Sequence, residues 1–77
     1  MNKEERILAL ENLFIEHYKA YVYFDKEAKD MALSREERVH NGNISATINN
    51  ECINPLLQIL DFYKVDVNEL IKNAGIV

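Results

Sequence analysis

The stretch Asn2-KEERILALENLFIEHYKAYVYFDKEAKDMA-Leu33 reads as one long amphipathic helix, and its pattern decides the fold class. Ile7, Leu10, Phe14, His17, Tyr21, Phe24, Ala28 and Met31 follow one another at alternating spacings of three and four, which is a heptad seam. Placed on a wheel at about 100° per residue, the apolar arc is wide, with Leu13 and Phe24 on one flank, Ile15 and Leu33 on the other and Tyr18 near the centre. One packed neighbour does not cover such an arc. The reading is that one flank receives the later helices of this chain and the other meets a second copy or a different protein.

Working outward, the rest of the chain is punctuated as short helices, with no strand candidate. Asn2 with Glu5 three residues on forms an Asx version of the capping box, and Ser34-Arg-Glu-Glu37 forms a second one, which either opens a new helix or sits as a kink in a continuous one. His40-Asn41-Gly42 predicts a stop, because glycine takes the left-handed conformation without a Cβ penalty. A third helix is expected from about Asn43 to Ile53, ended by Asn54-Pro55, and a fourth from Pro55 to about Lys64. The last, Val67 to Asn73, has Asp66 as cap, Glu69 three residues on, a Val65/Leu70 staple, and Gly75 with Ile76 and Ile71 placed for a Schellman ending. The expected architecture is all-α: a single domain over residues 1–77, with the long helix 1–33 packed against three or four short helices in 34–77, and oligomeric.

Composition narrows the function classes. A chain of 77 residues buries a modest share of its surface, so assembly is the natural source of extra stability. The single cysteine, Cys52, excludes an intrachain disulfide, and one Cys with two scattered His offers no structural zinc set. The charged start, followed by an amphipathic stretch, reads as neither a signal peptide nor a membrane span, so a cytoplasmic location and no membrane partner are expected. The net charge of −4 is spread evenly, which disfavours wholesale attraction to nucleic acid.

Asp25 falls inside the apolar arc and is expected to pair with Lys29 or a tyrosine hydroxyl, because an unbonded carboxylate there is expensive. His17 reads as a hydrogen-bonded edge histidine, a pH-sensitive interface group or a metal ligand, with no partner at ligand spacing for the last. Five of the chain's seven aromatics lie between Phe14 and Phe24; Tyr23 points away from the arc and is expected to be exposed as a partner anchor. Cys52 follows Ile44 and Ile48 on an apolar row and reads as a buried, inert thiol. No nucleophile, base and oxyanion donor come together, so neither catalysis nor a cofactor is expected.

From Leu33 onward the chain resembles the phage-repressor, or lambda-repressor-like, helix-turn-helix domain. The residues that carry it are Leu33-Ser-Arg-Glu-Glu-Arg-Val39, Gly42 at the turn, Ala46-Thr47-Ile48-Asn49, Leu56-Leu57-Gln-Ile59-Leu60, and Val65-Asp-Val67-Asn-Glu69-Leu70-Ile71. The resemblance implies base contacts from Asn43, Ser45, Thr47, Asn49 and Asn50. Between Val39 and Asp61, however, there is no Lys or Arg to hold phosphates, and Arg38 stands where the family has a buried aliphatic. The leading expectation is therefore a regulatory or adaptor protein acting by protein–protein contact, as a homodimer through Ile7, Leu10, Phe14, His17, Tyr21 and Phe24 with Tyr23 as an added contact. DNA binding is the alternative.

Overall fold

The computed structural model describes residues 1–76, and every element in it is helical: α1 (Lys3–Ala28), α2 (Arg35–Ile48), a π-helical stretch (Asn49–Ile53), α3 (Asn54–Phe62) and α4 (Val67–Asn73). The long first helix forms, but it ends at Ala28, five residues short of the expected Leu33, so Met31, the last residue of the expected seam, lies in the turn and is 77% exposed. Asn2 opens it, its Oδ1 accepting from Glu5 N–H at 2.8 Å while its Nδ2 donates to Glu5 Oε1 at 2.9 Å. Beyond Ala28 the chain turns tightly: Asp30 Oδ1 accepts from Ala32 N–H, and Leu33 N–H donates to the Asp30 carbonyl. Ser34 then caps α2, accepting from Glu37 N–H at 3.2 Å, so the chain breaks at Ser34 rather than bending through it.

The expected stops at Gly42 and at Asn54-Pro55 are both corrected. The backbone is helical without interruption from Arg35 to Phe62, so the expected series of short helices is instead a second long element. Gly42 lies inside α2, where an added Cβ would stand 3.6 Å from Ala28 Cβ; it marks close approach of two helices, not the turn that the resemblance places there. Pro55 ought to clash with the carbonyl four residues back and removes a donor. The π stretch absorbs this locally. Asn54 stays helical at φ −59° and ψ −45°, and its N–H reaches five residues back to the Asn49 carbonyl. The helix continues because the apolar residues on both sides of Pro55 pack on α1.

The two long elements form an antiparallel hairpin. Near its turn Ala28 sits beside Gly42; further along, Ser45 Oγ donates to the Tyr21 carbonyl at 3.4 Å; toward the open end Phe14 joins Ile53, Leu56 and Leu60 in the buried cluster. Phe14 and Leu60 are 1% and 0% exposed, and burial of side chains this size stabilises by about 1.5–3 kcal/mol each. α3 ends in a Schellman turn with Lys64 at φ 60° and Val65 N–H donating to the Leu60 carbonyl. That turn brings α4 back so that Val67, Leu70 and Ile71 cover the cluster. Asp66 caps α4 through Glu69 N–H, and Gly75 at φ 72° ends it with Ile76 N–H on the Ile71 carbonyl, as the sequence predicts.

Candidate docking surface

The hairpin is unevenly filled. All four buried apolar side chains lie toward its open end, whereas the half next to the turn has Ser45 as its one buried residue among those described. There the helices meet through Gly42, Ala28 and Ser45, which allow close backbone approach but contribute little apolar area. Large side chains stay on the outside in both halves: Tyr23, Val39 and Met31 are exposed near the turn, with Phe24 and Ile44 half-buried, and Leu8, Leu13, Ile59 and Phe62 are exposed toward the open end. Phe24 finds company on its own helix, its ring edge-on to Tyr23 at 5.2 Å.

The exposed area is large for the chain's mass. A folded chain of 9.0 kDa is expected to expose about 4,900 Å², and this one exposes 5676 Å². Its radius of gyration is 14.3 Å, against about 11.5 Å for a globular domain of this length. Two shallow grooves run along α2, of about 480 Å³ lined by Arg35, Glu36, Val39, His40 and Asn43, and of about 240 Å³ lined by His40, Asn43, Ile44, Thr47 and Ile48. Both are walled by one helix. His40 and Thr47 both line the second, but a spacing of seven residues on one helix places them about 10 Å from each other along its axis, beyond hydrogen-bond reach.

The structure distributes the expected interface residues over two faces. Phe14 is corrected: it lies in the intrachain core and has no surface to offer a partner, because the closing hairpin takes the centre of the apolar arc for itself. Tyr21 and Leu10 also pack against that core, though each keeps part of its surface, and Ile7, His17 and Phe24 are half-buried outside it. Tyr23 is 57% exposed. Of the residues proposed for base contacts, Asn43, Thr47 and Asn50 are exposed and Asn49 is half-buried, but Ser45 is corrected: it faces α1 with its hydroxyl engaged and cannot reach a base edge. Arg38, misplaced for the repressor pattern, packs at the turn with Nη1 on Met31 Sδ and its Nε buried without a hydrogen-bond partner.

Asp25 takes its expected partner, with Lys29 Nζ 2.9 Å from its Oδ2. That hydrogen bond, and then the Coulomb attraction of the carboxylate, hold the lysine above its ordinary pKa of 10.5. Cys52 is half-buried and free. Among the described residues no group of three His, Cys, Asp or Glu side chains is placed to hold a metal ion, and no helix is long and apolar enough to cross a membrane. No family model matches the chain, and neither a curated protein nor a solved structure matches it.

Proposed function

We propose that this chain is a helical interaction module that works by self-association and partner contact rather than by catalysis. The observation that carries the reading is the excess of surface: about 800 Å² beyond the expectation for its mass, which is one partner's share of a standard protein interface. The excess comes with large apolar side chains outside and, among the described residues, four apolar side chains buried. A small chain built this way gains by covering itself with a partner. In the same terms, the role is regulatory or adaptor-like, with the hairpin presenting its uncovered flank.

Sedimentation equilibrium over a wide concentration range tests it. The expected result is a reversible monomer–dimer equilibrium with a midpoint in the micromolar range. A chain that stays monomeric at high micromolar concentration, with α1 fully protected from hydrogen exchange, overturns the reading. The same preparation, titrated into labelled duplex DNA at low and near-physiological salt, is expected to give no binding, since α2 supplies no phosphate-anchoring cation between Val39 and Ile48.

A further inference from the structure

One stripe of α1 lies about a quarter-turn from Phe14 and carries a pattern of its own. Arg6, Leu10, Leu13, His17, Ala20, Phe24 and Glu27 are spaced four, three, four, three, four and three apart, a heptad row that shares Leu10, His17 and Phe24 with the seam through Phe14 and Tyr21 and runs along its flank. Leu10 alone among them packs against the buried cluster. Leu13 is 42% exposed, and His17, Ala20, Phe24 and Glu27 are half-buried.

The row is complementary to itself when reversed. With a two-fold axis close to His17, Arg6 comes opposite the second copy's Glu27, Leu10 opposite its Phe24, and the large Leu13 opposite the small Ala20. A parallel pairing of the same row would set Arg6 on Arg6 and Glu27 on Glu27, which like-charge repulsion opposes. We infer that the chain dimerises through this row as an antiparallel pair of α1 helices, two hairpins giving a four-helix bundle, with Arg6 and Glu27 setting the direction. The inference rests on the proposed self-association and adds to it the face, the orientation and the two charges that select them.

Charge reversal separates this arrangement from other dimers. Arg6→Glu and Glu27→Arg are each expected to weaken dimerisation about tenfold, because each creates two like-charge contacts across the axis. The double variant is expected to return to within about threefold of wild type. Loss without rescue, or no effect from either single change, overturns the antiparallel row while leaving a dimerising chain; a monomeric wild type overturns both it and the self-association beneath it. Oxidative crosslinking gives an independent readout in a Cys52→Ala background. His17→Cys is expected to form a covalent dimer and Glu27→Cys not, since ten residues on each side of the axis separate the two copies by about 30 Å. Crosslinking at both positions, or at position 27 alone, counts against the inference.

Discussion

The two halves of the hairpin are held together differently. Toward the open end Phe14, Ile53, Leu56 and Leu60 exclude water, and α4 covers them. Toward the turn, the helices touch through Gly42 and Ala28 and through one hydroxyl-to-carbonyl bond, and Arg38 buries an Nε without a partner. One half is stabilised by area removed from water, the other by backbone proximity and helix caps. The contrast accounts for the position of Phe24 and Ile44, since small residues bring α1 and α2 close and leave no space between them; Leu8, Ile59 and Phe62 are exposed in the filled half, on the outer faces of α1 and α3.

The largest effects should come from breaking the difference between the halves. Phe14→Ala opens a cavity in the filled half and is expected to cost about 3–5 kcal/mol, enough to unfold a chain of this size; Phe24→Ala should change monomer stability far less. Thermal melts of the two variants, followed by circular dichroism at a concentration where the chain is monomeric, check this. Equal losses would mean that the turn half is as well packed as the other. A change of opposite sign is expected at Gly42→Ala. Glycine inside a helix is about 1 kcal/mol worse than alanine, and the new methyl would meet Ala28 at an ordinary contact distance of 3.6 Å, so the variant should melt higher. Were Gly42 the turn glycine of a helix-turn-helix, the same substitution would destabilise.

In the filled half, Lys64→Gly should also raise the melting temperature, by the equivalent of about 0.5–1 kcal/mol, because Lys64 holds φ 60° in the Schellman turn. The smallest effect belongs to Lys29. Its folded pKa is raised, so the stabilisation from its contact with Asp25 is present below pH 10.5 and is lost as pH rises through the folded value. Lys29→Met should therefore melt marginally below wild type at neutral pH and level with it in strong alkali. The difference stays small because the lysine side chain is 75% exposed.

Much of this fold was legible in local chemistry. Asn2, Ser34, Asp66 and Gly75 each end or begin a helix where their side chains or lack of one predict, because a cap depends on three or four consecutive residues and little else. Pro55 and Gly42 were misread for the complementary reason. Their local preferences compete with packing from elsewhere in the chain: Phe14 rewards a helix that carries Ile53, Leu56 and Leu60 past the proline, and Ala28 accepts a glycine against it. The candidate surface was half legible. A single wide arc on α1 is visible, but it contains two overlapping heptad rows that share Leu10, His17 and Phe24, and spacing alone does not say which side of them the chain itself closes. Phe14 and Phe24 look equivalent in sequence and differ only once Ile53 is known to lie beside the former.

The widened turn at Asn49–Ile53 has a consequence for how the molecule opens. A helix melts cooperatively because each hydrogen-bonded turn templates the next; here that relay is interrupted by bonds reaching five residues back and by a proline with no N–H to offer. Fraying that starts near Ser34 meets this discontinuity just as it reaches the first residue of the filled cluster. The amides of α2 are then expected to exchange through small, frequent openings, and those of α3 through global unfolding, within one unbroken rod. On that expectation the π stretch is a firebreak, the boundary between a half that loosens and a half that keeps the chain folded.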